Sequence, residues 1–319
     1  MFCLPGGSVP CKDFFLAVAV TSAIFITVAV ISVLGVFGAV IVPVPMLYYY
    51  SKLGRLRGIL VFALSLTIAM TILRALGFQT AFVYFFLLGS LGPILSEVLR
   101  KNYSIEKTVI YSVGIFLTLS LAILFYLSLI SGKVPWSIIG THISMTVKEN
   151  IDLYSRTGIS MEYVELLREN AAQIASVLFG LLPALVFVGS AFFVWLNILE
   201  GKWLFRKKGM WYPDFGDLSL WKTLDKMVWL VVISGVFIMI PLDGFRILGM
   251  NIMIALFFIY MLQGLAIINF FFNRKNVPLF LRVFGYFLIF AQQFLLFIVA
   301  GLGLIDAWAD FRKLDKKSD

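Results

Sequence analysis

The side chains of this sequence best suited to gripping a small polar ligand are Arg74, Gln79, Asp243, Arg246 and Asn251. A guanidinium is a fixed fork of donors for a carboxylate or phosphate, a carboxylate accepts from cations, and carboxamides do both. All five stand at the ends of apolar runs, which suits the mouth of a pocket better than a proton path through a membrane. The plainer alternative is that Asp243 and Arg246, three residues apart, pair across a turn while Arg74 reaches for an interface.

Other chemistry finds little support in the residues. The single histidine, His142, has no Cys, Asp or Glu at metal-ligand spacing, and Cys3 and Cys11 have no histidine near them, so no metal is expected. No Gly-x-x-x-x-Gly-Lys-Ser/Thr run is present to cradle a nucleotide, and no nucleophile–base pair stands out. The expectation is a protein that is not an enzyme and carries no cofactor; any ATP-driven step would belong to a partner. Gln263, Asn269, Gln292, Gln293 and Asn197 lie inside apolar runs, where amides serve mainly to hydrogen-bond one helix to another.

The elements that must position these residues are helices in a bilayer. Hydrophobic residues make up 61% of the 319 and charged residues 13%, with 32 phenylalanines and a mean hydropathy of +0.99. A soluble domain carries about 25% charged residues. The net charge of +9 lies in short runs between apolar segments, which fits loops facing anionic lipid and argues against nucleic acid. Residues 1–13 lack the basic start and small-residue cleavage site of a signal peptide, so the first helix should be retained.

Charge-free stretches run over 14–51, 58–73, 75–96, 108–132, 170–199, 227–242, 247–273 and 283–305. About 20 helical residues cross a bilayer. The first stretch is too long for one crossing, and Gly35, Gly38, Pro43 and Pro45 should break it into two, near 14–34 and 36–50. The expected fold is therefore all-α, a polytopic transmembrane helical bundle of eight or nine crossings. Residues 1–200 would form a six-crossing membrane domain with an external loop at 133–169. Residues 201–226 would be a cytoplasmic loop, and 227–319 an extension of two or three crossings with a short tail.

Alternating crossings place Lys12 and the basic loops at 52–57, 100–107, 202–226 and 274–282 on one side, which the positive-inside rule makes cytoplasmic. The basic tail 312–317 then falls outside, against that rule; either 227–242 or 283–305 does not fully span, or the tail's equal acid content makes its side indifferent. Within the external loop, Glu162, Glu165 and Glu169 share one helical face and Tyr163, Leu166 and Leu167 another, which predicts an amphipathic helix. Trp195, Trp203, Trp211, Trp221 and Trp229 flank the cytoplasmic loop and should anchor it at the interface. In the first crossing Ala19, Ala23 and Thr27, continued by Gly35 and Ala39, make a small-residue stripe on which another helix could dock.

Several runs also carry a resemblance: Asp225-Lys-Met-Val-Trp229, Gly249-Met-Asn251, Tyr260-Met-Leu-Gln-Gly-Leu-Ala266 and Gly303-Leu-Ile-Asp-Ala-Trp-Ala-Asp-Phe-Arg312, with Val42-Pro-Val-Pro45, Gly92 to Arg100 and Trp195-Leu-Asn197 upstream. The chain resembles the YybS-type family of bacterial membrane proteins, whose activity is not established. The resemblance implies a multi-pass protein of the bacterial cytoplasmic (inner) membrane with its amino terminus inside. The first 200 residues are also similar in layout to the substrate-binding subunits of energy-coupling-factor vitamin transporters, and 226–305 is an extension those subunits lack. That likeness implies an unidentified small-molecule ligand held at the outer ends of the crossings and a membrane partner docked on the small stripe of the first helix. The alternative function is a cell-envelope scaffold or assembly protein with no ligand.

Overall fold

The computed structural model describes residues 11–31, 38–78, 82–157 and 160–313. Cys3, Gly35 and Gln79, singled out above, lie outside the described residues. Among those residues the chain is helical with no strand. Twelve principal helices follow in order: α1 Cys11–Val30, α2 Pro43–Leu53, α3 Arg55–Ala75, α4 Phe82–Leu99, α5 Ile105–Ser131, α6 Pro135–Ser155, α7 Met161–Glu169, α8 Ala171–Lys207, α9 Val228–Met239, α10 Asp243–Arg274, α11 Leu279–Ala291 and α12 Gln293–Ala309. A helical turn, Gly38–Ile41, precedes α2.

Six of the described helices (α1, α3, α4, α5, α8 and α10) are long and apolar enough to cross a membrane, and α11 with α12 makes a seventh candidate bent by 105°. Two expected crossings fall short, and length is the reason. The α9 helix has 12 residues, about 18 Å of rise, against roughly 30 Å of hydrocarbon. The 36–50 crossing is split into Gly38–Ile41 and α2, with prolines at 43 and 45. The split segment still returns the chain along α1: a Cβ at Gly38 would lie 3.0 Å from Val28, and Lys52 Nζ lies 2.8 Å from Asp13 Oδ2. Those contacts at its two ends are fifteen residues apart on α1, about 22 Å of helix.

The chain divides into two compact units, Met1–Ser131 with Gly189–Asp214, and Gly132–Val188 with Phe215–Asp319. The boundaries thus fall at 131, 188 and 214, where the sequence suggested 200 and 226, and α8 runs through one of them.

In the first unit α1, α3 and α4 close around Phe25, Leu66, Ala69, Met70, Leu73 and Phe85, with the rings of Phe25 and Phe85 stacked at 5.5 Å. Bilayer helices gain little from the hydrophobic effect against one another, so close approach and hydrogen bonds must hold them. Gly92 supplies the approach: a Cβ there would meet Leu47 N at 2.6 Å and Pro43 O at 2.7 Å of α2. Ser51 and Ser96 supply a bond, Oγ to Oγ at 2.7 Å, between the same two helices.

In the second unit the stretch expected as a loop, 133–169, is mostly helix. Val147 and Ile151 of α6, Val164 of α7 and Ala175 of α8 form a small apolar cluster, and Arg168 pairs with Asp152 at 3.2 Å. The amphipathic helix read at 160–169 is α7, with the Ser160 side chain accepting from Tyr163 N. Further on, Gly249 lets α10 lie against α9, where a Cβ would sit 2.7 Å from Ser234 O.

Candidate functional site

The most polar buried place in the described structure is where α10 and α12 touch. Gly264 and Gly303 let the backbones meet: a Cβ on Gly264 would run into Val299 O, and one on Gly303 into Tyr260 O. No other residue type fits at that separation. The neighbours of these glycines are Gln263, fully buried, and Asp306, 1% exposed. Gln263 Nε2 donates to Asp306 Oδ2 at 3.0 Å, so the closest approach of the two helices is bridged by an amide and a carboxylate.

The chain then turns back on itself. Asp310 takes the left-handed conformation (φ 38°), its N–H donates to Asp306 O at 3.1 Å, and Phe311 N–H donates to Asp306 Oδ1 at 3.0 Å. The turn folds Arg312 inward until its side chain is wholly buried, with Nη2 2.8 Å from Asp306 Oδ2. Arg312 Nη1 donates to Ser219 O at 2.8 Å and Trp221 O at 2.9 Å, and Thr223 N–H donates to Gln263 Oε1 at 3.2 Å. The segment 219–223 is therefore clamped on α10 and α12 by three backbone groups.

Chemically this is a closed lock. Both Asp306 oxygens are occupied, by Phe311 N–H on one side and by Gln263 and Arg312 on the other. A carboxylate engaged in that way has little capacity left for a substrate proton or a metal ion. A buried pair of opposite charge is tolerated in such a place when most of its hydrogen-bonding groups are engaged, and here both terminal guanidinium nitrogens and both carboxylate oxygens are, while Arg312 Nε is buried with no partner.

The five proposed ligand residues are distributed otherwise. Arg74 is exposed in the last turn of α3, in the first unit. Asp243 and Arg246 are exposed in the first turns of α10, in the second unit, and among the described residues no ion pair joins them. Asn251 is engaged in packing: its Nδ2 donates to Gly180 O and Ile247 O, both at 2.8 Å, and its Oδ1 accepts from Ala184 N at 2.9 Å. Gly180 and Ala184 are the two ends of the α8 turn that holds Pro183, where proline withholds an N–H and crowds the preceding carbonyl. Asn251 fastens that weakened turn to α10. Asn251→Leu should therefore cost about 1–2 kcal/mol, read as a lower unfolding midpoint in detergent. An unchanged midpoint would mean the bridge contributes nothing.

Of the amides read as interhelical, Gln263 links α10 to α12, while Asn197, fully buried, donates to Phe193 O on its own helix. Gln292 occupies the bend between α11 and α12 and is exposed. The Asp306–Arg312 pair is not among the residues that the sequence singles out. Its signal was an acid closing an apolar run, followed six residues later by a base that positive-inside reasoning assigned to a free tail.

The family model described as "Predicted membrane protein (DUF2232)" matches residues 19–307. The chain belongs to that family. The match takes in Asn251, Gly264, Gln263, Gly303 and Asp306 and ends before Arg312. It supports an uncharacterised membrane domain. No curated protein and no solved structure matches the chain.

Proposed function

We propose that this chain is a subunit of a membrane transport system that docks on another membrane helix through α1. The observation that carries the reading is the division of that helix into two faces. Ala17, Val18, Thr21, Ser22, Phe25 and Val28 are buried within the chain, whereas Ala19, Ala23 and Thr27 are exposed. Small residues facing outward leave a groove in which a second backbone can approach closely. The likeness in layout to energy-coupling-factor substrate-binding subunits supplies the role: binding of a small molecule from outside, with ATP hydrolysis in separate partners. The clustering of basic residues supplies the orientation, with the amino terminus on the cytoplasmic side of a bacterial inner membrane.

Ala23→Leu tests this. The expected result is an unchanged unfolding midpoint in detergent together with loss of any co-purifying membrane subunit. A midpoint that falls by several degrees would reassign the stripe to internal packing, and unchanged recovery would assign it to lipid. A second reading, an envelope scaffold without a ligand, is favoured by Asn251, whose carboxamide is spent on α8 and so is withdrawn from any pocket. A small molecule retained through purification would decide against the scaffold.

A further inference from the structure

We propose that the end of α8 and the turn after it form a docking surface for the headgroup of an anionic glycerophospholipid. Over 200–214, four basic side chains (Lys202, Arg206, Lys207 and Lys208) face two acidic ones, Glu200 and Asp214, leaving a local charge of +2. Trp203 and Trp211, 64% and 62% exposed, stand among the bases. Lys207 Nζ lies 5.0 Å from the centre of the Trp203 ring.

The fold holds this patch outward and in one shape. On the inner side of the same helix, a Cβ at Gly201 would meet Leu47 at 2.9 Å, and Phe205 packs edge-on against Tyr48 and Tyr212. Trp203, Arg206 and Lys207 are one helical turn apart and exposed on the other side. Gly209 (φ 62°) ends the helix, Met210 N–H bonds back to Phe205 O at 2.9 Å, and the chain doubles back until the Tyr212 hydroxyl donates to Ile198 O at 2.7 Å. Burial holds the Tyr212 phenol well above the ordinary tyrosine range, so it stays a donor. Trp211, next to Tyr212, is thereby carried back along the helix, with Arg206, Lys207 and Lys208 at the helix end. The α8 helix has 37 residues, about 55 Å against a core of roughly 30 Å, so it has length to spare for a segment beyond the hydrocarbon.

Two exposed indoles beside a cluster of cations fit a phosphodiester with its glycerol. A neutral zwitterionic headgroup would gain much less from those charges.

The test places the full chain in nanodiscs of phosphatidylcholine mixed with phosphatidylglycerol and counts retained lipids by native mass spectrometry. Preferential retention of phosphatidylglycerol is expected. Arg206→Gln should lower the ratio of the two lipids about fivefold, the value of one basic charge near an anionic surface, and the fourfold Lys202→Gln, Arg206→Gln, Lys207→Gln, Lys208→Gln variant should abolish the preference. Lys133→Gln with Lys148→Gln, elsewhere in the chain, should leave it intact. Equal retention of both lipids by the parent chain, or an Arg206→Gln ratio equal to the parent's, would overturn the proposal. So would recovery of an acidic protein on the patch without phosphatidylglycerol enrichment.

Discussion

Arg312→Ala should destabilise the second unit by about 3–5 kcal/mol, the usual cost of stranding one member of a buried ion pair. The variant leaves Asp306 at 1% exposure with no cation and frees the carbonyls of Ser219 and Trp221. Two readouts follow. The unfolding midpoint in detergent should fall, and trypsin should gain access to Lys222, within the released segment, and to Lys226, just after it. Asp306→Ala should be as harmful, because it buries an unpaired guanidinium. The pair Asp306→Leu with Arg312→Met should be milder than either single change, since removing both charges abolishes the desolvation cost along with the attraction. Should the double variant be as unstable as the singles, the geometry of the turn would matter more than the charge.

Gly264→Ala should be damaging for a steric reason. The added methyl collides with Val299 O and comes within 2.8 Å of Val299 C, both of them backbone, so α12 must move bodily. Overpacking of this kind costs about 1–3 kcal/mol or more, and separation of the helices also lengthens the Gln263–Asp306 bond. Gly303→Ala attacks the same contact from the other side, at Tyr260 O, and the two substitutions should add less than fully because they share one interface. Gly301→Ala is the control. A Cβ there meets nothing within 4 Å, so exchanging glycine for the better helix former should be neutral or stabilising by up to about 1 kcal/mol. If Gly264→Ala and Gly301→Ala behave alike, close approach of α10 and α12 is not what holds this region.

Much of the architecture was legible because a bilayer imposes blunt rules. Apolar length and charge punctuation place α3, α5 and α10 to within about four residues at each end, whereas α4 begins seven residues after the start of its stretch and α8 runs eight residues past the end of its own. The same rules count 227–242 and 36–50 as crossings, because they weigh composition and cannot see that α9 is 12 residues long or that prolines divide the other segment. The helix α6 was hidden for the opposite reason. Its apolar positions, among them Ile143, Val147 and Ile151, recur every four residues between charges and polar groups, a pattern that hydropathy averages away. The site was less legible than the fold. Nothing in the residue type separates Asn251, which mends a proline turn in α8, from an amide that greets a ligand. In the sequence Asp306 only bounds an apolar run, and nothing local marks Arg312, folded back through Asp310, as the partner that makes it tolerable there.

The order in which a ribosome makes this lock has a consequence of its own. Arg312 closes on Ser219 across 93 residues, and at about 5–20 residues per second the guanidinium emerges roughly 5–20 s after the carbonyl it will hold. Until then the segment 219–223 has no cation to fasten it, and Asp306, when it arrives, is for a moment a bare acid at the end of a hydrophobic helix. A message cut between codons 307 and 311 would freeze the nascent chain in that state, with nearly every apolar crossing made and the carboxylate still unanswered.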